Sequence, residues 1–187
     1  MSETMVDTHL IETGLDNERV FDGKLLSVRR DRVRLPDGRT AMREFVVHPG
    51  AALIVAELAD GRLILERQYR YPVGRVILEF PAGKLDTGET ALATAQRELI
   101  EEAGYTAKRW TPIATLHPNV GYSTEIIEVF LARELTHVGA NLDEGEFLDV
   151  ILKSEAELLD AFDRGALTDG KSIAALFAWQ RYRAKTR

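Results

Sequence analysis

Residues 83–105, GKLDTGETALATAQRELIEEAGY, constrain the fold of this chain more than any other stretch. Asp86 and Glu89 stand in capping-box spacing and Gly104 is a C-terminal stop, so the second half predicts a helix. On a wheel of about 100° per residue with Glu98 at zero, Glu101 falls at roughly −60° and Glu102 at roughly +40°. Ala95, Leu99, Leu92 and Ala103 follow from roughly +60° to +140°. The spacing predicts a buried apolar stripe with an exposed acidic ridge at its edge. Like charges so spaced cost a helix roughly 0.2–0.5 kcal/mol per pair, and no lysine within the helix relieves them. Oxygen-only ligands on one face suit a hard divalent cation, Mg²⁺ with Mn²⁺ as the alternative.

The stretch also runs Gly83, five residues, Glu89, seven residues, Arg97-Glu98-Leu99, one residue, Glu101-Glu102, one residue, Gly104. In that form it resembles the Nudix box, with a mild departure at Tyr105, where the family usually carries Ile, Leu or Val. The flanking EFPAGKLDTGE is similar to the ADP-ribose pyrophosphatase branch, and a looser likeness covers most of residues 40–185. The resemblance implies a Nudix-type α/β/α sandwich with a mixed sheet, plus a small N-terminal β-hairpin or sheet region. Residues 1–48 would form that β region, serving a homodimer and part of the pocket, and residues 49–187 the hydrolase domain.

Position by position, the resemblance makes Glu98 and Glu102 metal ligands, with Glu101 on another metal or acting through water. The Ala82 carbonyl matches a main-chain ligand. Glu89 and Arg97 fit a pair that fixes the helix to its loop, and Gly104 is structural. Arg70 in the QYR segment matches a phosphate-recognising arginine, for which a guanidinium offers bidentate donors. Glu79 and Gly83, around the Pro81-Ala82-Gly83 loop, are grouped with it as substrate-binding positions. The branch takes its general base from a loop well after the box. Here that loop is Asp143-Glu144-Gly145-Glu146, with Glu144 the first choice and Glu146 the second.

The implied reaction is divalent-metal-dependent hydrolysis of ADP-ribose, or a related nucleoside diphosphate sugar, to AMP and ribose 5-phosphate. The alternatives are a GDP-mannose or other NDP-sugar pyrophosphatase, and a non-catalytic nucleotide-binding module. The branch usually places a proline directly before a glycine downstream of the box, whereas Gly121 follows Val120 and the nearest proline is Pro118. That departure bears on the nucleoside and sugar rather than on the metal chemistry. Tyr122, Tyr69 and Phe80 are candidates for stacking on a base.

Composition narrows the partners. A formal charge of −6 argues against nucleic acid, so an anionic substrate must be drawn in by local arginine or metal. The absence of cysteine excludes disulfides, thiolate nucleophiles and zinc–sulfur sites. No basic start precedes an apolar run, and no apolar run approaches ~18 residues, so no membrane association and a cytoplasmic enzyme are expected.

The remaining segments read as follows. Residues 1–16 are polar and expected to be frayed or lightly docked. Residues 18–33 read as a strand, Pro36-Asp37-Gly38 as a turn and 43–48 as its partner, with Pro49-Gly50 as a joint. Residues 51–57 and 62–67 form a hairpin around Ala59-Asp60-Gly61, and 68–72 leave the sheet. Further strands are expected at 76–80, 109–116, 125–131 and 147–152, with a polar loop at 135–147. Ser154 and Glu157 form a capping box, and Asp169 or Ser172 caps a last helix with a basic tail through Arg187. This order predicts a mixed sheet between helices.

Overall fold

The computed structural model describes residues 7–142 and 144–186, which fall into two compact units. The expectations for residues 1–6, Asp143 and Arg187 lie outside the described residues. One unit comprises the chain through His48 together with Asn119–Glu125; the other comprises Pro49–Pro118 and the chain from Ile126 onward.

The first unit is an antiparallel sheet of β1 (Thr13–Asp22), β2 (Ser27–Arg34) and β3 (Thr40–Val47), in that order. β1 therefore begins inside the segment expected to be loose, and the single strand expected at 18–33 is split by a reversal. The reason is cross-strand charge pairing, which carries no hydrophobic signature. Arg32 donates to Asp16, its register partner, at 2.5 Å, and Arg30 to Glu44, also its partner, at 2.9 Å. Gly38 turns the chain at φ +87°, a conformation open to glycine. Residues 119–125 join this unit through Val46 N–H to Tyr122 O (2.8 Å) and Thr124 N–H to Val46 O (3.0 Å). Val120 and Tyr122 thus belong here.

The second unit holds β4 (Ala51–Glu57), β5 (Leu63–Arg70), β6 (Arg75–Glu79), β7 (Ala82–Lys84), β8 (Tyr105–Leu116), β9 (Ile127–His137) and β10 (Leu148–Lys153). The sheet runs β10-β5-β4-β9-β8, with β6 on β5 and β7 on β4. β4 and β9 are parallel and the other pairs antiparallel, so the sheet is mixed. Side chains alternate across a strand, and β4 feeds two cores. Leu53 and Val55 pack with Leu158, Leu176 and Trp179 of α2 (Glu155–Asp163) and α3 (Gly170–Thr186). Ala52, Ile54 and Ala56 pack with Ala95 and Leu99 of α1 (Ala91–Glu101) and with Ala103 just beyond it. The expected sandwich is formed.

Several boundaries differ from the sequence reading. β5 does not end before Gln68; it runs through Arg70, which pairs with Arg75 across a tight turn closed by Gly74 at φ +71°. β9 runs on to His137, shortening the polar loop. The N-cap of α1 is Thr90, whose side chain accepts from Ala93 N–H, because Gly88 at φ +83° interrupts any helical path from Asp86. Glu89 still reaches back to Asp86 N–H at 3.3 Å, closing a turn ahead of the helix. Leu92 is exposed, and Thr94 is buried in its place. The Ser154–Glu157 capping box forms, and Asp169 accepts from Ser172 N–H (3.1 Å) at the start of α3. Among the described residues no helix is long and apolar enough to cross a membrane.

Candidate active site

The site is assembled within the second unit, where β7 meets the acidic end of α1. Gly83 lies so close to Glu98 that a Cβ there would sit 1.7 Å from Oε1. Ala82 N–H donates to Glu102 Oε2 at 3.1 Å, tying the last turn to the loop. Glu102 is only 5% exposed, so it does not stand on an open ridge as the wheel implied. A helical wheel places a residue on a face but says nothing of what covers that face.

Arg97 binds the box together. Its guanidinium donates to both oxygens of Glu89 (3.2 and 3.1 Å), to Glu98 (2.7 Å), to Glu101 (2.9 Å) and to the Lys84 carbonyl (3.3 Å). Arg97, with help from Thr94, holds the Glu89 carboxyl down at about 2. Burial pushes Glu98 up, against the opposing charge of Arg97. Gly104 closes the helix at φ +75°, with the backbone of Ala140 2.5 Å from where a Cβ would stand.

A second row of polar groups comes from β5. Glu66, Gln68 and Arg70 alternate along one strand face, the face whose Ile64 packs with Ala95 and Leu99 of α1. Glu66 is 1% exposed, and neither of its carboxylate oxygens has a hydrogen-bond partner. Glu79, its register partner on β6, is equally buried. Arg70 grips Glu79 through two hydrogen bonds of 2.7 and 3.0 Å. Lys171, at the start of α3, donates to Glu79 Oε2, which Arg70 also uses, and to Asp169 at 2.9 Å. Burial alone would favour the neutral amine, but Glu79 and Asp169 together keep the Lys171 pKa above its ordinary value.

Electrostatics draw these groups into one field. Burial pushes Glu66 up, reinforced by Glu79 and Glu146 and opposed by Arg70 and Lys171. Burial also raises Glu102, followed by the charges of Glu66, Glu98 and Glu146. Glu146 thus acts on the buried Glu66 and Glu102 and on the half-buried Glu98, whereas Glu144 is exposed. Phe80 is fully buried in the α2–α3 core and unavailable for stacking; Tyr69 is exposed.

Glu66 and Lys171 were absent from the sequence-derived set. The alternation Glu66-x-Gln68-x-Arg70 was the available signal for the first, but it depends on β5 extending through Arg70. Lys171 lies 92 residues from its partner Glu79 and had no signal of spacing.

Among the described residues no three acidic or imidazole side chains already close on one point. The donor set nevertheless fits a hard divalent cation: carboxylates and main-chain oxygens, no sulfur, and two orphaned oxygens on a buried Glu66.

A NUDIX domain model matches residues 47–176, and a nucleoside diphosphate sugar hydrolase N-terminal domain model matches residues 12–46. The chain is 39% identical to a protein of Bacillus subtilis (strain 168) named ADP-ribose pyrophosphatase, over 89% of this chain and 91% of that one. It is 35% identical to a methanol dehydrogenase activator of Bacillus methanolicus, over 88% and 90% of the two chains. A crystal structure of an ADP compounds hydrolase matches with a TM-score of 0.83 at 26% identity, covering 94% of this chain and 95% of that one.

Proposed function

The chain belongs to the NUDIX family of hydrolases, and on that footing we propose that it hydrolyses the diphosphate of ADP-ribose to AMP and ribose 5-phosphate, with Mg²⁺. The observation that carries this reading is the close seating of the box loop on the carboxylates of α1: a Cβ at Gly83 would lie 1.7 Å from Glu98 Oε1, and Ala82 N–H donates to Glu102 Oε2 at 3.1 Å.

Glu98, Glu102 and the Ala82 carbonyl would hold the cation, with Glu101 contributing through a second ion or water. When bound, the cation supplies positive charge to the diphosphate oxygens and activates water for attack. Arg70 offers its guanidinium to a phosphate, kept in orientation by Glu79. Glu146, rather than Glu144, accepts the proton of the attacking water. The water oxygen bonds to one phosphorus, the bridging P–O bond breaks, and the second phosphate leaves with the bridging oxygen. Arg97 and Glu89 keep the helix registered on its loop.

The name of the Bacillus subtilis relative supports ADP-ribose as substrate. The Bacillus methanolicus name speaks of an activated partner enzyme, but a complete set of box carboxylates favours turnover over a purely regulatory role. Val120 in place of the branch's usual proline keeps GDP-mannose and other NDP-sugars as the second reading. Phosphate-coupled hydrolysis with Mg²⁺ across ADP-ribose, GDP-mannose, UDP-glucose and a diadenosine polyphosphate tests this. A strong preference for ADP-ribose is expected; preference for another substrate moves the specificity, and inactivity on all of them overturns the reading.

A homodimer formed through the first unit is part of the same proposal. Among the described residues of that unit Val33 is the only buried hydrophobic, while Leu15, Val20, Phe21 and Met42 are exposed. Apolar side chains left exposed together on such a sheet form a surface that a second copy can cover. Light scattering of the purified protein is expected to give twice the chain mass; a monomer would sink the idea.

A further inference from the structure

Glu66 sits in an arrangement that proteins seldom leave uncompensated. Its carboxylate is inside the second unit, and both oxygens lack hydrogen-bond partners. A buried charge is normally retained by pairing or by coordinating a metal. The two cations that act on Glu66, Arg70 and Lys171, are both hydrogen-bonded to Glu79. Its other neighbours are carboxylates: Glu79 and Glu146 act on it, and it acts on Glu102. Gln68, two residues along the same strand face, also carries a buried Oε1 without a partner. β5 therefore presents unpaired hard oxygens on the side of the sheet that carries α1.

We propose that Glu66 is a further carboxylate ligand of the divalent cation, joining Glu98 and Glu102 from the sheet side, with Gln68 Oε1 as a neutral oxygen beside it. The inference rests on the cation site described under the proposed function. It means that the ion is held between β5 and α1 rather than by the helix and its loop alone. Burial disfavours the Glu66 carboxylate in the metal-free protein, and a bound ion would supply the partner that the carboxylate lacks.

The test is Mn²⁺ binding to the full chain without substrate, read by electron paramagnetic resonance, in the wild type, Glu66→Gln and Glu102→Gln. Melting temperature with and without Mg²⁺ is the second readout. Glu66→Gln is expected to weaken Mn²⁺ binding at least ~10-fold, to melt higher than the wild type when metal-free, and to gain less from Mg²⁺. Glu66→Asp keeps the charge but retracts the oxygens, and its affinity is expected to fall between the two. Wild-type Mn²⁺ affinity in Glu66→Gln or Glu66→Asp, with Glu102→Gln weakened, overturns the assignment of Glu66 and leaves the cation site standing. Wild-type affinity in all three variants removes the cation site itself.

Discussion

A Cβ at Gly83 would lie 1.7 Å from Oε1 of Glu98, so the Glu98 carboxylate fills the space that any side chain at position 83 would need. Gly83→Ala is therefore expected to displace Glu98 while leaving the cores of the second unit intact. A misplacement on the ångström scale costs about 10²-fold in turnover. Steady-state kinetics alongside a melting curve checks this. An alanine variant with wild-type turnover would remove Glu98 from the cation site.

Glu146 acts on Glu66, Glu98 and Glu102, whereas Glu144 is exposed. Glu146→Gln is expected to lower kcat by roughly 10²–10⁴-fold with little change in KM. Glu144→Gln is expected to stay within about 3-fold of the wild type, since an exposed side chain outside the buried cluster contributes little. The reverse order of losses would move the base to Glu144.

Lys171 and Arg70 compete for the same carboxylate. Lys171→Met would leave Glu79 to Arg70 alone, drawing the guanidinium inward and away from a phosphate. Glu79 keeps its two hydrogen bonds from Arg70, so the melting temperature is expected to fall by less than the loss of both cations would cost. KM is expected to rise about 10-fold, the equivalent of ~1.4 kcal/mol of binding, with kcat less affected; Lys171→Arg should recover much of it. Unchanged KM and melting temperature in Lys171→Met would mean that Lys171 has no hold on Arg70.

Glu157 gives the acid limb of stability a specific contributor. Backbone and hydroxyl donors of Ser154, then Lys153, hold its carboxyl at about 2 in the folded chain, against an ordinary 4.5. A depressed folded pKa means that the contribution is fully present above the unfolded value and is lost as pH falls through the folded one. The advantage of the wild type over Glu157→Gln in melting temperature is expected to be steady above about pH 5 and to shrink between about pH 4.5 and 2. A gap that does not change with pH would assign the effect to the cap's shape rather than its charge.

Much of the molecule is legible in short-range pattern. The box from Gly83 to Gly104, the Ser154–Glu157 cap and the alternation that feeds two cores from β4 all depend on neighbours within a few residues. β1 escaped such a reading because its pairing rests on charges such as Asp16 and Arg32, which look like solvent-facing residues until a partner strand lies beside them. The N-cap of α1 was misplaced because a capping-box spacing from Asp86 is only a spacing, and the positive φ of Gly88 forbids the helix that would use it.

The sequence by itself therefore determined the family, the mixed sheet between helices, and the identities of the carboxylates on α1. Local backbone preference and side-chain periodicity are properties of residues near one another in the chain. Only the tertiary structure decided that Glu102 is buried, that Glu66 joins it without a hydrogen bond, and that Lys171 reaches Glu79 across 92 residues. Whether a charge is buried, paired or alone depends on every group that folding brings around it, and those groups come from strands and helices far apart in the chain.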